Sequence, residues 1–290
     1  MMTKMKGRLV ILAGGVSSRM KNSTVSDNQV DSKLIDDAKK KSKGMIRIGA
    51  DERPFLDYLL SNARDAGYED LVIVISECDN SIQEHYSNYF IEGLNISYAV
   101  QAIPAGREKP LGTADALYQA LKSKPEWNGA SFTMCNSDNL YSMHALKLML
   151  ESQHLNAMID YDRDGLEVEK ERIEKFAVTK KDNEGFLLDI IEKPTEDEIK
   201  TVKGKSGFIG VSMNLFRFNY DIILPFIETV PLHPVRQEKE LPAAIKLMIA
   251  ENPKSLFCYP LREHVPDLTS KNDILTVKKY LEKHYSNFSF

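Results

Sequence analysis

Short, continuous apolar runs recur along this chain, with amphipathic stretches between them. Leu9–Ala13, Leu71–Ile75, Ile96–Val100, Ser131–Cys135, Ala157–Tyr161 and Phe208–Phe216 have the length and composition of strands. Runs that do not alternate with polar residues suit strands covered on both faces. Phe55–Ala66, Ser81–Phe90, Thr113–Ser123 and Met143–Ser152 carry the apolar spacing of helices, as do Leu241–Ala250 and Asp273–Lys283. Strands alternating with helices predict βαβ units and a mostly parallel sheet. One segment departs from this rhythm. In "EKFAVTKKDNEGFLLDIIEKP" two extended runs flank a Lys-Asp-Asn-Glu-Gly turn, which predicts a β-hairpin added to the parallel core.

In open α/β sheets, ligands sit beyond the carboxyl ends of the strands. Three such ends carry suggestive residues. Leu12 and Ala13 lead into Gly14 and Gly15, then Ser17, Ser18 and Arg19. The spacing fits neither the dinucleotide pattern nor a Walker A loop. Two readings remain: a nucleotide loop whose positive charge sits on Arg19, or an ordinary strand-to-helix turn. "CNSDNLYS" places Asp138 and Asn139 after the second such strand, and "QAIPAGREKPLGTADAL" runs from Gln101 to a helix start at Gly112-Thr113. Ser23–Lys43 is polar, charged and without aromatics. It predicts a mobile loop over the site, with at most one short helical piece. "DYDRDGLEVEKE" fills several positions of a calcium-loop pattern, but predicted strands flank it, so it reads as an acidic surface loop. "LHPVRQEKELPAA" reads as a loop bordering an acceptor site.

Net charge is −4, and Lys39–Lys43 is the one basic block. A general nucleic-acid surface is therefore not expected. Any anionic substrate must be met by locally placed cations. Cys78, Cys135 and Cys258 lie far apart, with neither disulfide nor zinc spacing, which fits a reducing compartment. Cys78 and Cys135 are expected to be small buried hydrophobes. Lys4, Lys6 and Arg8 precede an apolar run shorter than a signal peptide needs, and no run approaches membrane-spanning length. The expectation is a cytoplasmic protein without membrane partners.

Taken together and in order, these segments resemble the sugar-phosphate nucleotidylyltransferases of the nucleoside-triphosphate transferase superfamily. "LAGGVSSRM" resembles the opening nucleotide loop, and "SKGMIRIGADERPFLDYLL" the lysine signature, with Lys43 at the lysine. "PLGTADAL" resembles the motif beside the base and sugar. "NSDN" resembles the metal-aspartate motif. "IIEKP" resembles the sugar-contacting motif at Glu192, Lys193 and Pro194. "SGFIGVSMNLF" resembles the sugar-side strand, with Gly210 at its glycine, and "VPDLTSKNDI" the late segment with a second metal aspartate, Asp267. Three positions depart from the pattern: Ser17 replaces a glycine, Ser42 a proline, and Leu268 the glycine before threonine. The Ser17 spelling is closer to cytidylyl- and cofactor-type transferases.

The resemblance implies a Rossmann-like, doubly wound α/β domain spanning 1–290. The nucleotide part would cover about 1–140, and the sugar-phosphate part, with its inserted hairpin and C-terminal helices, about 141–290. It implies transfer of a nucleotidyl group from a nucleoside triphosphate to a sugar 1-phosphate with release of pyrophosphate. Leu12, Ala13, Gly14, Gly15, Gln101, Gly112 and Thr113 would hold the nucleotide. Arg19 would meet the leaving pyrophosphate, Lys43 the α-phosphate or incoming phosphate, and Asp138 with Asp267 would hold Mg²⁺. Asn139, Glu192, Lys193 and Gly210 would contact the sugar phosphate. Gln101 would read the base, with UTP or dTTP expected. Cytidylyl transfer to a polyol phosphate or phosphocholine, and a silent nucleotide-binding regulator, remain open alternatives. The motifs leave the oligomeric state open.

Overall fold

The computed structural model describes residues 7–23, 30–174, 176–204, 207–286 and 288. The N-terminal Lys4 and Lys6, and residues 24–29 of the expected loop, lie outside the described residues. The strands are β1 (Gly7–Leu12), β2 (Tyr68–Ser76), β3 (Asn95–Gln101), β4 (Ser131–Asn136), β5 (Ala157–Asp162), β6 (Val178–Lys181), β7 (Leu187–Ile191), β8 (Gly210–Asn219) and β9 (Phe257–Leu261). The helices are α1 (Ser18–Asn22), α2 (Ser32–Lys40), α3 (Phe55–Ala66), α4 (Ser81–Ser87), α5 (Thr113–Lys122), α6 (Met143–Leu150), α7 (Lys170–Ile173), α8 (Glu196–Val202), α9 (Tyr220–Thr229), α10 (Leu241–Glu251) and α11 (Asp273–His284).

The main path of the sheet runs β3-β2-β1-β4-β8-β5-β9. β1, β2, β3 and β4 are mutually parallel, as is the pair β5–β9. β8 runs antiparallel between β4 and β5. The hairpin β6–β7 is antiparallel as expected and joins the sheet through Val178 opposite Val211. Strand order reverses at β1, whose neighbours are β2 and β4, and a ligand crevice opens at such a reversal.

Period two along β1 shows why the strand is apolar throughout. Leu9 and Ile11 enter one core with α3, α6 and α11. Val10 and Leu12 enter the other with α5, α9 and α10. Each face is covered by helices, so neither set of side chains can be polar.

Part of the expected loop over the site is a packed helix. Asp31 caps α2 through the Lys33 amide at 2.8 Å, and Leu34 and Ala38 are buried. Asp37, also buried, accepts from the Arg47 side chain at 2.8 and 3.1 Å. The acidic segment is likewise not a surface loop throughout: Asp160 is fully buried in β5, where it accepts from Thr179 and Lys181. Cys78 is exposed in the turn after β2, contrary to the buried place expected, whereas Cys135 and Cys258 are buried. Among the described residues, no helix is long and apolar enough to cross a membrane.

Candidate active site

The carboxyl end of β1 is pinned between its neighbours. The Ala13 amide donates to the Val74 carbonyl at 2.8 Å, and the Ser137 amide donates to the Leu12 carbonyl at 3.0 Å. The chain then turns out through Gly14 and Gly15. A Cβ on Gly15 would meet no atom within 4 Å, because it would point into open space. Ser17 has φ 56° and ψ 32°, a left-handed conformation that glycine adopts freely. The serine thus follows the path a glycine would take, at some steric cost. α1 starts at the next residue and presents Arg19, exposed, on the rim of the cleft.

Gln101 ends β3 and is buried to 2% exposure. Its amide nitrogen donates to the Gly112 carbonyl and to the Asp115 carboxylate, both at 2.8 Å. Both partners serve as acceptors, so the amide turns its nitrogen toward them and its oxygen away. Its carbonyl oxygen lies beside Gly14, 2.9 Å from where a Cβ there would stand. Gly112 has φ 104°, and a Cβ on it would lie 2.7 Å from the Lys239 carbonyl oxygen. The Thr113 hydroxyl accepts from the Leu241 amide at 3.0 Å, so the glycine-threonine turn is fastened to the start of α10.

Lys43 lies in a short 3₁₀ turn, Lys43–Met45, and its ammonium contacts the Asp138 carboxylate at 2.7 Å. Asp138 lies two residues beyond the end of β4. It does not cap α6; Ser142 does. Asn139 and Asp267 form an antiparallel bridge, and the Leu268 amide donates to the Asp138 carbonyl at 2.9 Å. This ladder brings the two aspartates together despite the altered late motif, and Leu268 is buried in the core. Burial, and then the nearby Asp138 charge, raise the Asp267 carboxyl above the usual carboxylate range against the pull of Arg172. Arg172 donates to Asp267 and, with its other terminal nitrogen, to Asp273.

Three residues expected at the sugar phosphate have protein partners of their own. Asn139 is buried, with its side chain on the Tyr141 hydroxyl at 3.4 Å, and it does not line the cleft. Gly210 lies against Asp160: a Cβ there would stand 1.9 Å from the Asp160 carboxylate. Its glycine makes room for a buried ion pair between Asp160 and Lys181. Glu192 lines the cleft but already holds Arg236 at 2.7 Å, and Arg236 also reaches Glu240 at 2.7 Å. Arg236 was missed because it lies in a loop with no periodic signal. The proline-rich composition marked the segment but not the residue. Lys193 lines the same wall with φ 49°, another non-glycine residue in the left-handed region.

These groups border one cleft of about 760 Å³, lined among others by Leu12 to Arg19, Lys43, Gln101, Gly112, Thr113, Asp138, Glu192, Lys193 and Arg236. Asp267 stands outside this lining, next to Asp138. Among the described residues, no cluster of three or more His, Cys, Asp or Glu is placed to hold a metal. A divalent ion here would depend on the two aspartates, water and substrate oxygens, a ligand set that magnesium accepts.

A family model described as nucleotidyl transferase matches residues 8–283. The chloroplastic/amyloplastic small subunit of glucose-1-phosphate adenylyltransferase from Triticum aestivum is 25% identical over 210 residues, covering 70% of this chain and 41% of that protein. The chain therefore spans less than half the length of that relative. A crystal structure of UDP-glucose pyrophosphorylase complexed with UDP-glucose superposes with a TM-score of 0.69 at 17% identity, covering 96% of this chain and 99% of that one. A UTP-bound UGPase from Acinetobacter baumannii gives 0.67 at 17% identity, covering 97% and 95%. Both structural likenesses establish the α/β fold.

Proposed function

Because the chain belongs to the nucleotidyl transferase family, we propose that it joins a sugar 1-phosphate to a nucleoside triphosphate and releases pyrophosphate. One observation carries the reading: Arg19, Lys43, Lys193 and Arg236 converge with Asp138 on a single cleft beyond the sheet's carboxyl edge. The nucleophile is a phosphate oxygen that is already ionised, so no general base is required. It forms a bond to the α-phosphorus as the bond from that phosphorus to the α–β bridging oxygen breaks. The electron pair leaves with pyrophosphate. The barrier is repulsion: two unit charges 4 Å apart repel by about 4 kcal/mol at an effective dielectric of 20. Neutralisation and alignment therefore supply the catalysis.

Arg19 serves the departing pyrophosphate as a planar fork. Lys43 moves from Asp138 to a phosphate oxygen. Lys193 and Arg236 receive the acceptor, Arg236 being oriented by Glu192 and Glu240. When bound at Asp138 and Asp267, Mg²⁺ would supply positive charge to the phosphates. Gln101 offers the base an acceptor, which suits the ring N–H of uracil or thymine. Cytosine has an acceptor at that ring position, so the cytidylyl alternative is disfavoured. The names of the relatives support a hexose 1-phosphate as acceptor. The cysteines among the described residues are free, in keeping with a cytoplasmic place.

The test is pyrophosphate release across a matrix of triphosphates and phosphorylated acceptors. The expected result is turnover with UTP or dTTP and a hexose 1-phosphate, abolished by excess chelator. Full activity in chelator would sink the two-carboxylate scheme. A clear preference for ATP or GTP would refute the role given to Gln101.

A further inference from the structure

Arg172 lies in α7, outside every motif that the proposed reaction uses. Its guanidinium forks. One terminal nitrogen donates to an oxygen of Asp267 and to the Thr269 hydroxyl, the latter at 3.0 Å. The other donates to Asp273, the first residue of α11. Asp273 is itself fixed, because its second oxygen accepts from the Thr269 and Ser270 amides at 3.0 and 2.6 Å. The arginine is therefore anchored at one end to a rigid turn and grips Asp267 at the other. Among the described residues, Asp267 is otherwise held only through Thr269, at 3.0 and 2.9 Å, and through its backbone bridge to Asn139. Its side chain is 12% exposed, and the Asp138 carboxylate lies close enough to repel it.

We propose that Arg172 is the positioning residue of the divalent-cation site: it holds one oxygen of Asp267 so that the other can act together with Asp138. The inference rests on the nucleotidyl-transfer reading above. Two neighbouring carboxylates repel, and a short aspartate side chain has several rotamers. Without a third group, Asp267 would turn away from Asp138, and the site would lose one of its two protein ligands. A planar fork suits the task because its two terminal nitrogens address two carboxylates in a fixed geometry, whereas a lysine offers one compact ammonium on a flexible stem. Arg172 does not line the cleft, so it acts through Asp267.

The experiment measures Mn²⁺ binding by water-proton relaxation in the presence of a non-hydrolysable nucleoside triphosphate. It is paired with the Mg²⁺ dependence of pyrophosphate release. The proteins compared are wild type, Arg172→Met, Arg172→Lys and Asp273→Asn. Loss of a residue that orients a metal ligand typically weakens metal affinity about 10–100-fold. Arg172→Met should show a loss of that size, and the Mg²⁺ midpoint should rise in parallel while kcat at saturating metal falls less. Arg172→Lys should recover only part of the affinity. Asp273→Asn, which frees the far end of the fork, should weaken binding without removing the charge that faces Asp267. If Arg172→Met does not fold, the last two variants carry the test. Unchanged Mn²⁺ affinity in the folded variants would overturn the role of Arg172 and leave the reaction standing. No Mn²⁺ uptake by the wild type would overturn both the inference and the two-aspartate site beneath it.

Discussion

Arg19 sits on the exposed rim of the cleft, the second residue of a helix that begins three residues after the glycine pair. If it meets charge that grows on the departing pyrophosphate, it acts more in the transition state than in the ground state. Arg19→Ala should then lower kcat more than it raises KM, by about 10²–10³-fold. Arg19→Lys should recover part, since a point charge cannot span two phosphate oxygens. A folded Arg19→Ala protein with near-normal kcat would return the arginine to the surface. Residue identity made this position legible, but backbone conformation was not. Ser17 read as a sign of a different nucleotide class, yet it takes the left-handed conformation that the usual glycine supplies. Gly210 read as a sugar contact, and only the structure shows the buried Asp160 carboxylate against it. Asp160 comes from another strand, so no local pattern announces the contact.

α2 shows how much an element can depend on one buried charge. Its composition is polar enough to have predicted a mobile loop, yet Asp37 on its inner face is 4% exposed. Burial works to raise the Asp37 carboxyl, but hydrogen bonds from Arg47 and Lys41 outweigh it and hold it below the usual carboxylate range. Removing one partner of a fully buried pair costs about 3–5 kcal/mol. The Arg47 side chain is 37% exposed, so solvent screening reduces the expected loss for Asp37→Asn to about 1–2 kcal/mol. The sign with pH follows from the lowered pKa. The stabilisation is complete above the unfolded-state pKa and disappears as pH falls through the folded-state value. The melting-temperature gap between wild type and Asp37→Asn should thus be full at pH 6 and close in strong acid; a gap constant with pH would refute this. Prolines hid two other elements. Pro260 lies in β9, which tolerates it at the sheet edge, and Pro225 interrupts the helical pattern of α9. α9 persists because Ile223, Phe226 and Ile227 are buried in one core.

At the scale of the whole molecule, the segment 231–240 fastens one side of the cleft to the other. Its Lys239 amide donates to the Leu111 carbonyl, and its Lys239 carbonyl accepts from the Ala114 amide at 3.0 Å. Arg107, in the loop after β3, donates to the Gln237 carbonyl at 2.6 Å. From the same segment Arg236 reaches Glu192 at the end of the hairpin. The glycine-threonine turn on the nucleotide side and the Glu192 side of the cleft therefore share one strap. Gly112→Ala is the substitution that probes it. A methyl there would press on the Lys239 carbonyl oxygen at 2.7 Å and on the Glu238 Cβ at 3.0 Å, at a residue whose φ of 104° already disfavours any side chain. The strap is the part that must yield, and Arg236 moves with it. Gly112→Ala should consequently raise KM for the sugar phosphate as well as for the nucleotide, although Gly112 belongs to the nucleotide motif. Gly15→Ala is the comparison, because its methyl meets no protein atom within 4 Å and projects into open space beside the glycine loop. It should raise KM for the nucleotide alone. Initial rates with each substrate varied in turn, and melting temperature as a control for folding, separate the two patterns. If folded Gly112→Ala changes only the nucleotide KM, the strap does not couple the two sides and the halves of the cleft work independently.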